Sequence, residues 1–136
     1  MQYMLDTDIS SYIIRARDRD LLDTMQERVR SGASLSISAV TYAELRLGAE
    51  RSRRASRHND AIQRFCDRLH DVLPWDRTAA DEFAVLQAGL LRSRTPIGAN
   101  DTMIAAHALS LRRTLVTNNR RHFSRVPGLA VENWVG

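Results

Sequence analysis

Apolar positions along this 136-residue chain fall into short runs that alternate with stretches of helical period. The first run, Tyr3-Met4-Leu5, has the length of a strand and stops at Asp6. Ile9, Tyr12, Ile13 and Ile14 then predict a helix over about 8–15, because apolar residues three and four apart share one helix face. A polar joint from Ala16 to Asp20 leads into a second helix carrying Leu21, Leu22, Met25 and Val29, which Gly32 terminates. Leu35 to Val40 alternates and reads as a second strand; a helix bearing Val40, Ala43, Leu45, Leu47 and Ala49 follows directly. The basic stretch 51–58 lacks apolar signal and reads as a joint or an exposed arm before Ile62, Phe65, Cys66 and Leu69. Val72-Leu73 is a very short third strand, and Asp76 is placed to cap a long helix with Ala79, Phe83, Leu86, Leu90 and Leu91. Thr95-Pro96-Ile97-Gly98 forms a tight loop, and Asn100 or Asp101 opens a helix with Met103, Ile104, Ala106, His107 and Leu111. Leu115-Val116-Thr117 is a fourth strand, Arg120 to Phe123 one helical turn, and Leu129-Ala130-Val131 a last strand. Strands alternating with helices predict an α/β fold with a largely parallel sheet covered on both faces.

Length and composition fit a single domain over 1–136. No apolar run approaches the roughly 20 residues of a membrane span, and the N-terminus lacks the basic and apolar regions of a secretory signal. Cys66 stands alone, so no disulfide forms within the chain. A cytoplasmic protein with no membrane partner is expected. The net charge is +4, and all 20 basic residues are arginine. Without lysine, a Walker A phosphate loop and a Schiff-base nucleophile are both excluded. Arginine binds phosphate bidentately and stacks on bases, which points to a nucleic-acid partner; an ordinary solvated surface with arginine in place of lysine is the alternative.

Polar residues recur where strands end. Asp6 and Asp8 follow the first strand, Glu44 follows the second, Asp101 heads the late helix and Asn119 follows the fourth strand. Right-handed crossovers gather all these positions at one edge of the sheet, where open α/β folds bind ligands. Singly, each carboxylate has an ordinary explanation: Asp6 or Asp8 as a helix cap, Glu44 and Asp101 as partners of a helix dipole. Together they would repel and need a counter-ion, and an oxygen-only set calls for a hard cation, Mg²⁺ or Mn²⁺. Such an ion activates water in phosphodiester cleavage. His107 lies among alanines and reads as packed; Trp75 and Trp134 also read as packing.

Four segments carry a family resemblance: Leu5-Asp6-Thr7-Asp8, Ser38-Ala39-Val40-Thr41-Tyr42-Ala43-Glu44-Leu45, Pro96-Ile97-Gly98-Ala99-Asn100-Asp101, and Leu115-Val116-Thr117-Asn118-Asn119 with Phe123. In this order and spacing the chain resembles the PIN-domain ribonucleases, and within them the VapC toxins of type II toxin–antitoxin pairs. The resemblance extends through Arg125-Val126-Pro127-Gly128-Leu129. It implies a three-layer α/β/α sandwich and a Mg²⁺- or Mn²⁺-dependent endoribonuclease. The implied substrate is tRNA, with the anticodon stem-loop of initiator tRNA as first choice. The implied metal site falls on Asp6, Glu44 and Asp101, with Asn119 near a fourth position and Asp8, Thr117 and Asn100 in support.

Many members carry Asn at the place of Asp8 and a fourth Asp at the place of Asn119. A second metal is therefore expected to bind weakly or only with substrate, and Asp8 is expected to cap the first helix rather than replace the missing charge. Candidate RNA contacts are Arg51, Arg53, Arg54 and Arg57, and a second group of Arg112, Arg113, Arg120 and Arg121. The implied partner is a VapB-type antitoxin laying a helix near Ile13, Ile14, Leu45 and Leu47, on a homodimer that can enter a larger toxin–antitoxin assembly. Asp6-Thr7-Asp8 also resembles the motif of haloacid-dehalogenase-type phosphatases, but their obligatory lysine is absent. The alternative reading is a PIN module that binds nucleic acid with little or no turnover.

Overall fold

The computed structural model describes residues 1–16 and 18–135; Arg17, inside the joint expected at 16–20, lies outside the described residues. Twelve elements follow in order: β1 (Gln2–Leu5), α1 (Thr7–Arg15), α2 (Arg19–Arg30), β2 (Ser34–Ser38), α3 (Ala39–Glu50), α4 (Ala55–Asp67), β3 (Asp71–Leu73), α5 (Arg77–Arg92), α6 (Ala99–Leu111), β4 (Thr114–Val116), α7 (Arg120–Phe123) and β5 (Val131–Glu132). The five strands form one sheet in the order β3-β2-β1-β4-β5, and every pairing is parallel.

Alternation along β1 explains why the sheet needs two cores. Tyr3 and Leu5 point into a cluster with Ile9, Ile13, Leu21, Met25, Leu45, Ile62 and Phe65 from the early helices. Met4 points the other way, into Leu86, Leu90, Ile104, Ala105 and Ala108 of α5 and α6. This is the expected three-layer α/β/α arrangement, with a strand buried on both faces. Trp134 packs edge-on against Tyr3 at 5.0 Å, and Trp75 against Phe83 at 5.9 Å, so both tryptophans are packing residues.

Most helix starts obey local chemistry: side-chain oxygens of Asp6, Asp18, Ser38 and Asp76 accept from backbone N–H groups of the first turn. Ser38 caps α3 through Val40, which ends β2 two residues before the limit expected from alternation. Half of the basic stretch is helical: 51–54 is a joint, and α4 starts at Ala55 with arginine and histidine on its exposed side. Leu47 and Val29 are exposed, because burial on α3 follows Leu45 and Ala49, four apart, and on α2 Leu21 and Met25. The last strand lies at Val131–Glu132 rather than 129–131; a turn from Val126 to Leu129 over Gly128, at φ +79°, keeps Leu129 out of the ladder.

The order of strands fixes where the site falls. From the central β1 the chain goes to β2 on one side, while β4 joins on the other. A crevice opens beyond the carboxyl ends of β1 and β4, at this reversal of direction. Asp6 is the first residue past β1, and Thr117 the first past β4.

Candidate metal centre at the carboxyl edge of the sheet

Asp6 is 2% exposed and held at every atom that can bond. Its N–H donates to the Val116 carbonyl at 3.0 Å, as if the ladder ran one residue further. Oδ1 accepts from the Ile9 N–H at 2.8 Å, and Oδ2 accepts from the Thr117 hydroxyl at 2.5 Å. Asp6 is thus the helix cap and also the carboxylate at the crevice; the two readings coexist in its two oxygens. Asp8 does not cap. It is exposed in the first turn of α1, since the extended residue preceding the helix is Asp6.

Burial pushes the Asp6 carboxyl up to about 7; the Thr117 and Ile9 bonds offset part of this, while the charges of Asp8 and Asp101 add to it. Asp101, on the first turn of α6, is also raised, first by burial and further by Glu44 and Asp8, against a lowering contribution from His122. Glu44 projects from α3 between two other elements. Its Oε1 accepts from the Thr7 hydroxyl at 2.7 Å and its Oε2 from the Asn100 amide at 3.2 Å. The Thr7 hydroxyl lies 3.2 Å from that of Thr41, one turn before Glu44.

The fourth position is built by the segment after β4. Thr117 Oγ1 accepts the Asn119 backbone N–H at 2.8 Å, fixing the turn from which Asn119 points. The Asn119 amide nitrogen lies 3.0 Å from His122 Nδ1, which in turn lies 3.3 Å from Asp101 Oδ2. His122 escaped the sequence reading, as did Thr7 and Thr41. The signal was available for His122: it stands three residues after Asn119 on one helical turn, so both face the same side. His107 is packed, with Nδ1 2.8 Å from Ser38 Oγ, and burial lowers its pKa.

Asp6, Glu44, Asp101 and Asn119, with Thr117 and Asn100, therefore meet at one edge. Among the described residues, no three histidine, cysteine or acidic side chains already converge at ligand spacing. Nor does any ion pair among them bring arginine to Asp6, Glu44 or Asp101; the pairs are Arg28–Glu132, Arg46–Glu50 and His122–Asp101. Among the described ion pairs only His122 reaches one of these carboxylates, Asp101.

The arginine groups separate. Arg51, Arg53, Arg54 and Arg57 are all exposed. The group of Arg112, Arg113, Arg120 and Arg121 is not one patch, because β4 runs between its halves. Arg120 and Arg121 are exposed beside Asn119 at the carboxyl edge, whereas Arg112 and Arg113 follow α6 at the opposite edge. Arg113 is partly buried, donating to Ser36 Oγ at 3.2 Å, with its Nε buried and unbonded.

The PIN domain family matches residues 3–129. A Haemophilus influenzae protein named Ribonuclease VapC2 is 38% identical over 135 residues, covering 99% of each chain. A Salmonella typhimurium protein named tRNA(fMet)-specific endonuclease VapC is 37% identical, covering 98% of each. The chain belongs to the PIN-domain family, among its VapC ribonucleases. The same relationship appears in three dimensions. The Rickettsia felis VapBC2 structure, bound to a DNA fragment from its promoter, superposes with a TM-score of 0.92 at 30% identity, over 98% of this chain and 99% of that one. At the carboxyl edge of the sheet this chain gathers oxygen-bearing side chains of the kind that metal-dependent hydrolysis uses.

Proposed function

We propose that this chain is the toxin of a type II toxin–antitoxin pair and a divalent-metal-dependent endoribonuclease acting on tRNA. The observation that carries the reading is that the crowded carboxylates of this edge have no arginine partner among the described ion pairs. Asp6 and Asp101 are both pushed toward protonation by burial and by neighbouring negative charge, so a bound cation would stabilise their ionised forms. Oxygen donors suit Mg²⁺ or Mn²⁺. Asp6, Glu44 and Asp101 would hold the ion, with Glu44 turning from its bonds to Thr7 and Asn100. A bound ion supplies a Lewis acid and a readily deprotonated water for attack on phosphorus.

The remaining residues orient the site. Thr117 fixes one Asp6 oxygen and the Asn119 turn together, which ties the ends of β1 and β4 to each other. Thr7 and Asn100 hold Glu44 from α1 and α6. Exposed Arg120 and Arg121 stand where an RNA backbone entering the crevice would pass.

A VapB-type antitoxin would restrain the enzyme, on a toxin homodimer that can join a larger assembly. A groove of about 590 Å³ between α1, α3 and α4 is lined by Ile14, Leu45, Ala49 and Ile62, and Thr7 and Glu44 close one end. An amphipathic helix fits such a groove, and its continuation would reach the carboxylates. Of the lining expected from sequence, Ile14 and Leu45 belong to the groove; Ile13 is buried and does not line it, and Leu47 is exposed outside. The Salmonella relative's name points to initiator tRNA as the substrate. Expression of this chain alone should arrest growth and leave initiator tRNA cut in its anticodon stem-loop. Normal growth with abundant folded protein and intact tRNA would favour instead a PIN module that binds nucleic acid without turnover.

A further inference from the structure

Charge is not spread evenly along this chain. From Phe83 to Val131 the sequence holds seven arginines and a single carboxylate, Asp101, whereas before Phe83 acidic residues outnumber arginines by one. The excess positive charge therefore lies in the part of the chain that builds α5, α6 and α7, the helices on the Met4 side of the sheet. Arg112 and Arg113 stand at the far edge. The other five, Arg92, Arg94, Arg120, Arg121 and Arg125, are exposed on two segments that the fold brings together. Ile97, in the turn between α5 and α6, shares a buried cluster with Phe123 and Val126. Arg125 Nη1 donates to the Pro96 carbonyl at 3.2 Å, and Ser93 and Thr95 line one groove with Arg125. Both segments reach the carboxylates, since the turn leads into α6 ahead of Asp101 and Arg120 follows Asn119. None of the five is in an ion pair among the described residues. Arg51, Arg53, Arg54 and Arg57 belong instead to the layer of α3 and α4 on the Tyr3 side, with Glu50 and Asp60 close by in sequence.

We propose that the RNA backbone runs from the carboxylate crevice across the α5–α6 turn and α7, over Arg92, Arg94 and Arg125 as well as Arg120 and Arg121, and not across the 51–57 stretch. The proposal rests on the ribonuclease reading above and gives its substrate a path. Exposed guanidiniums without carboxylate partners bind phosphates bidentately and release counterions as they do so, which selects a polyanion. Continuity with the crevice favours the substrate over a separate acidic protein.

The probe is a fluorescently labelled RNA with the sequence of the initiator tRNA anticodon arm, titrated with the purified full chain in EDTA at several salt concentrations. Arg94 gives the cleanest variant. At φ +56° it holds a conformation that glycine adopts without strain, so Arg94→Gly removes the charge and keeps the turn. It should melt no lower than wild type and reduce the salt slope of binding by about one. Adding Arg92→Gln and Arg125→Gln should reduce the slope by about two to three and weaken binding at least about 10-fold at low salt. Arg51→Gln, Arg53→Gln and Arg54→Gln together should change it by less than about 0.5. An unchanged slope in the folded Arg94→Gly and triple variants overturns the path and assigns this face to an acidic protein; an equal loss from the 51–54 variant overturns it too. Adding Mn²⁺ to the bound RNA tests the underlying reading separately: binding along this path without cleavage leaves the path standing and overturns the ribonuclease. No RNA binding by wild-type protein overturns both.

Discussion

Asp101 and Arg113 flank the two ends of α6, at opposite edges of one parallel sheet, and both are partly buried charges. Their surroundings differ. Arg113 reaches back to Ser36 with no acidic partner among the described ion pairs, and serves to tie the end of α6 to β2. Asp101 sits among further negative charge, with Glu44 and Asp8 raising its pKa and only His122 opposing them. A lone anchored charge holds the fold. Like charges brought together work against it, and such clusters collect where chemistry needs them.

The largest effect should come from breaking the crowded edge. Asp101→Asn keeps the shape and removes a charge, so the fold should survive while RNA cleavage falls by roughly 10²–10³-fold. Cleavage assays alongside a thermal melt check this; retained activity would remove Asp101 from the site.

Asp6 allows the same contrast to be read without any RNA. Its folded pKa, about 7, lies above the ordinary 3.8, so the folded chain keeps this proton longer than the unfolded one. Its contribution is therefore fully favourable below about pH 4 and is lost as pH rises to about 7, with no further change above. The loss is at most on the order of 4 kcal/mol. Asn at this position can still accept from Ile9, so in metal-free protein Asp6→Asn should be more stable than wild type at pH 8, with the gap closing at pH 4. Unfolding curves at the two pH values decide it; a gap independent of pH would contradict the burial argument.

Smaller effects should separate the arginines. Arg113→Ala should cost about 1–2 kcal/mol of stability through the lost bond to Ser36 and leave RNA binding unchanged. Arg120→Ala and Arg121→Ala should do the reverse, each lowering the salt slope of RNA binding by about one. Denaturant titration and binding at several salt concentrations measure both. If Arg113 alters the slope as much as Arg120, the two edges do not differ in the way described.

Periodicity and capping chemistry made most of this fold legible. The alternation of strands and helices was enough for the three layers, and Asp76 was recognisable as a cap before its bond to Ala79 was seen. Leu47 was not, because an apolar residue one step off a helix stripe looks the same in sequence as one on it. Arg57 and His58 hid the start of α4, since a solvated helix face has no apolar signal. Asp6, Asp101 and Asn119 were legible as residues that follow a strand or open a helix at the same edge, whereas Glu44 lies in the second turn of α3, further from the helix start than its place after β2 suggests. His122 was not, because its meaning comes from Asp101, 21 residues away and brought near by the crossover. The split between Arg113 and Arg120 likewise needs the path of β4, since the two stand only a short strand apart in sequence.

The central claim is that this edge is a metal-dependent nuclease centre. Its most direct test is RNA cleavage by the purified, antitoxin-free chain after EDTA treatment, followed by readdition of Mn²⁺ or Mg²⁺. The account predicts endonucleolytic products with either ion, none in EDTA, and at least about 100-fold less from Asp101→Asn prepared in the same way. Undiminished cleavage in EDTA, or equal cleavage by Asp101→Asn, would contradict it.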